Sequence, residues 1–224
     1  MFNVFRLSAD LLHLASIIIL LLKIYATKNV KGISLKTQIL FLLVFCMRYL
    51  DVFTNWRIPY NVVMKILFLG FSATTVYWIA VKYNKGYDKE HDTFRIVFLI
   101  VPALALAVVT PKPDMYSVVD NLWTASIYLE AVAILPQLFL VRRTGEVENM
   151  TSNYIAAMGA YRALYMVNWV YRYITEEGYY NIPGNFVVWF SGLAQTALYA
   201  DFFYYYFRSK WYGQKFSLPG ATEI

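Results

Sequence analysis

The chain has 224 residues, 59% of them hydrophobic, 19% aromatic and 15% charged, with a formal net charge of +6. A mean hydropathy of +0.46 is too high for a water-facing surface, so ordinary soluble domains are excluded and the bilayer is the natural solvent. The positive charge is spread over short loops without forming a basic face, which excludes nucleic-acid binding, and the single Cys46 cannot make an intrachain disulfide.

At about 20 residues per crossing, the sequence predicts seven transmembrane helices, near 4–24, 37–54, 61–81, 95–110, 120–141, 153–174 and 186–207. The fold class is all-α and polytopic, a single transmembrane domain over 1–224. The N-terminus enters its apolar run without a basic region or a small-residue cleavage site, so no removable signal peptide is expected.

The first span carries Arg6, Asp10 and His13 on one helical face. The second carries Arg48, Tyr49 and Asp51, and the fifth Asp120, Trp123 and Glu130. In the sixth, Tyr161, Arg162, Tyr165, Asn168, Trp169 and Arg172 form a polar and aromatic stripe. A charge at membrane depth costs at least ~2.5–3.5 kcal/mol, so such residues face the bundle interior and have partners. Interhelical ion pairing alone would explain any one of them, and their number argues for a ligand site.

Arginine grips carboxylates bidentately and keeps its charge when buried. Arg6, Arg48, Arg162 and Arg172 together therefore suggest an acidic ligand, with Asp51 and Asp120 available for a cationic part of it. His13 is the only histidine inside a span, and an imidazole titrates where secretory compartments differ in pH. The sequence has no metal cluster, phosphate-cradling glycine loop or nucleophile elbow, so neither an enzyme nor a cofactor is expected beyond the proton itself.

The connections after spans one, three and five carry Lys28, Lys31, Lys36, Lys82, Lys85, Lys89, Arg142 and Arg143. A tail at about 208–224 adds Arg208, Lys210 and Lys215, whereas the opposite loops offer only Arg57 and Lys112. The positive-inside rule then predicts a cytosolic C-terminus and an N-terminus on the other side. That topology leaves the sequon Asn149-Met150-Thr151 cytosolic and unmodified.

A shift of 117 residues lays the first three spans over the last three, so that His13 falls on Glu130, Asp51 on Asn168 and Ile19-Leu20 on Pro136-Gln137. This predicts a 3+1+3 parallel repeat: a half at about 4–81, a linker helix at about 95–110 and a half at about 120–207. Such repeats place a site between the halves near the midplane.

Several strings carry a resemblance: Asn3-Val4-Phe5-Arg6-Leu7, Gly32-Ile33-Ser34-Leu35-Lys36-Thr37-Gln38, Arg48-Tyr49-Leu50-Asp51, His91-Asp92-Thr93-Phe94, Tyr128-Leu129-Glu130, Tyr161-Arg162-Ala163-Leu164-Tyr165 and Tyr199-Ala200-Asp201-Phe202. From about Asn3 to Pro219 the chain closely resembles the ER lumenal protein retaining receptors, or KDEL receptors. The resemblance implies a SWEET-like fold with a lumenal N-terminus. It also implies cycling between Golgi and ER, with capture of a C-terminal Lys/His-Asp-Glu-Leu tetrapeptide.

Carried over, it gives the terminal carboxylate to Arg48 and Tyr49, and the acidic side chains to Arg6 and Arg172. Asp51, Asp120 and Trp123 would receive the leading cation, with Tyr165 and Asn168 shaping the pocket. His13, Glu130, Tyr161 and Arg162 would form the pH switch. Asp201, with Arg208, Lys210 and Lys215, would signal to vesicle coat machinery. The extra Phe2, the loop around Glu176, Glu177 and Asn181, and the lysine-poor tail depart from the family pattern. Membrane lipid is a further expected partner, and a small-solute transporter on the same fold is the alternative reading.

Overall fold

The computed structural model describes residues 3–53, 58–111, 115–145, 148–176, 186–213 and 216. Arg57, Lys112, Glu177, Asn181, Phe2 and Lys215 lie outside them. The described residues form eight α-helices and no strand: α1 (Val4–Thr27), α2 (Leu35–Arg48), α3 (Pro59–Tyr77), α4 (Val97–Val109), α5 (Val118–Val132), α6 (Leu135–Thr144), α7 (Asn149–Thr175) and α8 (Phe186–Trp211). A 3₁₀ turn, Leu50–Phe53, follows α2, and a π-helical turn, Trp78–Lys82, prolongs α3.

Local chemistry sets these boundaries. The Asn3, Ser34 and Ser117 side chains accept from the backbone N–H of Arg6, Thr37 and Asp120, filling the N-cap of α1, α2 and α5. Pro59 opens α3, where a missing N–H costs nothing. Lys28 ends α1 in the left-handed region, at φ 53°, and returns its N–H to Ile24.

The fifth span is the one that departs from expectation. Rather than one helix over 120–141, it is two, α5 and α6, which together run Val118–Thr144. Pro136 cannot donate to the preceding turn. The ladder tightens to an Ala133 to Glu130 bond and restarts with Leu138 to Ile134. The last helix is also longer than predicted, so Arg208 and Lys210 ride on its final turn and not in a tail.

Val4–Thr27, Pro59–Lys82 and Val118–Thr144 are long and apolar enough to cross a membrane, and α4 is a shorter apolar helix. At 27 and 26 residues, α7 and α8 also have the length of a crossing. Helix α4 buries only Ala103 and Ala107 and exposes Val97, Phe98, Val101 and Val108, an all-apolar exterior that suits lipid and not water. The chain is an all-α membrane protein.

Helix α1 packs along α7, α2 lies between α3 and α5, and α8 closes against α7 and α5. Close approach of α7 and α8 depends on Gly159 and Gly192, whose missing Cβ positions are filled by Tyr199 and Phe203, and by Trp169 and Met166. The core between these helices includes Leu20, Phe41, Phe45, Leu129, Met158, Tyr161 and Phe202.

At the basic end, buried polar groups stitch the helices together. The Gln137 side chain donates to Gly32 O at 2.9 Å and accepts from Ser34 N at 2.8 Å, while Gln137 N donates to Thr37 Oγ1 at 2.9 Å. Asp92, 2% exposed, accepts from Ser34 Oγ at 3.0 Å and from Tyr87 OH at 2.7 Å. Burial, and then this bond, push the Tyr87 hydroxyl well above its ordinary range, so it remains a donor at any physiological pH. Lys23, buried in α1, donates to Lys31 O at 3.0 Å and pairs with Glu148 at 3.1 Å.

Candidate functional site

Near the other end, α1, α2, α5 and α7 surround a cavity of about 330 Å³. Its lining includes Asp10 and His13 from α1, Arg48 and Tyr49 from the end of α2, Trp123 and Glu130 from α5, and Tyr161, Arg162, Tyr165 and Trp169 from α7. Phe68 and Ile127 supply apolar wall.

Glu130, whose side chain is 3% exposed, is the hub. Its Oε2 lies 2.5 Å from Arg48 Nη1 and 3.8 Å from Arg162 Nη1, and its Oε1 accepts from Tyr161 OH at 2.9 Å. Arg48 also donates from Nε to Ser126 Oγ at 3.1 Å. Two guanidinium groups, Arg162 buried and Arg48 largely so, thus share the Glu130 carboxylate, so positive charge exceeds negative immediately around that residue. Buried Arg48 Nη2 and Arg162 Nε have no hydrogen-bond partner among the described residues. Since buried charged donors are rarely left unmade, these atoms mark where an anionic group would bond.

His13 is 6% exposed and lies among rings: Tyr161 at 3.9 Å between centroids, Phe68 at 4.8 Å and Phe45 at 5.6 Å. Its Nε2 is buried and unpartnered among the described residues. Tyr49 stacks on Phe45 at 5.6 Å, and the Arg162 guanidinium stands 5.4 Å from the Trp169 ring.

Other predicted site residues are near the cavity without lining it. Arg6 reaches Asn61 Oδ1 at 3.4 Å and Asp10 at 3.9 Å. Asn168 accepts from Asn3 Nδ2 at 2.6 Å, tying α7 to the start of α1. Arg172 donates to Glu176 at 2.9 and 2.6 Å. That hydrogen bond holds the Glu176 carboxyl below its usual range.

Two carboxylates expected to be available for a cation are placed differently. Asp51 is already gripped by Lys65 at 2.7 and 2.8 Å, and Asp120 is exposed at the N-terminus of α5 outside the lining. The helix start explains Asp120, since a carboxylate there offsets the helix dipole.

The sequence reading omitted Lys65, a lysine inside an apolar span, and assigned no role in the pocket to Asp10. Asp10 accepts from Tyr60 OH at 3.0 Å and from Tyr165 OH, making it the second anionic wall of the cavity. Its spacing from Arg6 and His13 was the available signal.

Asp201, on α8 at the basic end, accepts from Arg142, both half exposed. Lys210 lies 5.6 Å from the Tyr206 ring. Among the described residues no group of three or more His, Cys, Asp or Glu could hold a metal ion.

The family model for ER lumen protein retaining receptors matches residues 29–172. An ER lumen protein-retaining receptor of Drosophila melanogaster is 52% identical over 97% of this chain and 99% of its own length. One from Entamoeba histolytica is 51% identical, and the human ER lumen protein-retaining receptor 2 is 49% identical, at the same coverage. The matched stretches cover nearly the whole chain. The chain is a member of the ER lumen protein-retaining receptor family.

Proposed function

We propose that this protein is a pH-dependent receptor for the C-terminal Lys/His-Asp-Glu-Leu signal of escaped ER proteins, binding it in the acidic Golgi and releasing it in the ER. The observation that carries the reading is the Arg48 and Arg162 pair sharing one carboxylate, with Arg48 Nη2 unpartnered among the described residues, in a cavity of about 330 Å³. The size falls at the lower end of the ~300–1,000 Å³ common for ligand pockets. It suits the last residues of an extended peptide.

In this reading the terminal carboxylate bonds Arg48 beside Tyr49, displacing part of the Glu130 interaction. Arg6 and Arg172 take the acidic side chains at the mouth, where Asn168 and Tyr165 shape the wall. Asp51, Asp120 and Trp123 meet the leading cation. His13 gains a proton as negative charge enters, with Tyr161, Glu130 and Arg162 carrying the change. The N-terminus is lumenal and the C-terminus cytosolic in a 3+1+3 repeat, and coat machinery reads Asp201, Arg208, Lys210 and Lys215.

The test is equilibrium binding of a labelled peptide ending in Lys-Asp-Glu-Leu, and of its C-terminal amide, to the purified protein. The free acid should bind at acidic pH, and the amide at least about 30-fold more weakly, as loss of a buried charge pair of ~2 kcal/mol requires. Equal binding of acid and amide would remove Arg48 from the role, and no binding of either at any pH would defeat the receptor reading.

A further inference from the structure

A second cavity, of about 190 Å³, lies between α6 and α8 at the basic end. Its walls include Leu138, Phe139, Leu198 and Phe202, and its mouth is formed by Arg142 and Asp201. Arg142 is one turn beyond Leu138 on the same face of α6, and Asp201 stands three residues beyond Leu198 on α8. Charge and hydrocarbon are thus layered one helical turn, ~5 Å, apart.

The mouth is built to exchange partners. Arg142 and Asp201 form an ion pair with side chains 55% and 50% exposed, a weak arrangement. Beside it, Arg143 stands 5.1 Å from the Phe139 ring and donates to Thr93 at 2.7 Å, so a second guanidinium is fixed over the apolar wall. Two arginines against one carboxylate leave net positive charge at the rim.

We propose that this groove binds an anionic glycerophospholipid. One acyl chain enters between α6 and α8, and the phosphate bonds Arg142 and Arg143, displacing Asp201. Leu138 and Leu198 lie a turn inside the charged layer, on apolar stretches of helices long enough, with α5 in the case of α6, to cross a bilayer, where a lipid chain is the solute at hand. The excess of arginine selects an acidic headgroup over a zwitterionic one. Occupancy therefore releases the Asp201 carboxylate, making its availability a function of the surrounding lipid. None of this depends on what the larger cavity binds.

The experiment is a lipid titration of the full-length protein in detergent, read by native mass spectrometry, with phosphatidylserine and phosphatidylcholine as probes and inorganic phosphate as competitor. Phosphatidylserine should bind more tightly by about fivefold for each arginine engaged. Arg142→Gln with Arg143→Gln should abolish the preference, and Leu198→Trp should fill the groove and reduce binding of both lipids. Asp201→Asn should tighten phosphatidylserine binding, because the internal competitor is gone; a misfolded variant cannot mimic that gain. The proposal is overturned if the two lipids bind equally, if Leu198→Trp has no effect, or if Asp201→Asn leaves binding unchanged or weaker. Displacement by millimolar-range phosphate alone would also overturn it, assigning the arginines to a soluble anion.

Discussion

Tyr161 lies flat against His13, ring centroids 3.9 Å apart and planes within 3°, while its hydroxyl donates to Glu130 at 2.9 Å. One phenol therefore touches both the histidine and the carboxylate that holds Arg48 and Arg162. A proton arriving on His13 changes the charge beside Glu130 without any side chain having to travel.

That relationship fixes a sign. His13 faces Glu130, Asp10, Arg48 and Arg162 around the cavity, and an incoming carboxylate makes the surroundings more negative. Ligand binding then favours the imidazolium, and by linkage protonation strengthens binding, so affinity falls as pH rises. His13→Asn should flatten the affinity profile between about pH 5 and 7.5. Glu176 supplies the control. Its carboxyl is held below 4.5 by Arg172, so that pair stays charged throughout this range and is lost only under stronger acid. Glu176→Gln should leave the pH slope of binding between about pH 5 and 7.5 as it was, because this carboxyl does not titrate there.

Lys65 should tune the first position of the signal. Since it holds Asp51 at 2.7 and 2.8 Å, a leading cation on the peptide competes with it. Lys65→Met should increase the preference for Lys over Gln at that position by about fivefold, the equivalent of ~1 kcal/mol. Competition binding with the two peptides decides it; an equal change for both would show that Asp51 does not read the cation.

The sequence revealed membrane helices and most of the cavity members because charges stand out within apolar runs. Arg48, Glu130 and Arg162 were conspicuous for that reason, and the spacing of Arg6, Asp10 and His13 put them on one face. Which charge meets which was not legible, because pairing depends on how helices distant in sequence are juxtaposed. Asp51 thus looked available although Lys65 stands across from it, and Asp120 looked internal although it lies exposed in the first turn of α5. The break between α5 and α6 was signalled by Pro136, yet hydropathy alone ran through it.

Glu130 should also be the most expensive side chain in the cavity to neutralise. Glu130→Gln leaves Arg48 and Arg162 buried without a countercharge, and breaking such a pair costs about 3–5 kcal/mol. Thermal unfolding of the purified protein should show a large fall in Tm. An unchanged Tm would mean that the two arginines are solvated by water entering the cavity.

The α7–α8 contact offers a packing test away from any charge. A Cβ on Gly159 would come within 2.6 Å of Phe203 and 2.8 Å of Tyr199, and one on Gly192 within 2.5 Å of Trp169. Gly159→Ala and Gly192→Ala should each destabilise by about 1–3 kcal/mol through overpacking. The Gly192 variant, which pushes on a cavity wall through Trp169, should weaken peptide binding as well. Thermal unfolding and peptide titration of each variant check this.

The stitching at the basic end determines what the bundle lets through. His13 and Lys23 are ten residues apart on α1, ~15 Å along the helix, so the cavity stops well short of the opposite face. A solute leaving that way would have to part Gln137 from Gly32 and Ser34, Asp92 from Tyr87, and Lys23 from Glu148. Each buried donor or acceptor left behind would cost about 1–3 kcal/mol. Among the described residues, the cavity is accordingly closed off from the basic end by a polar layer that is costly to part.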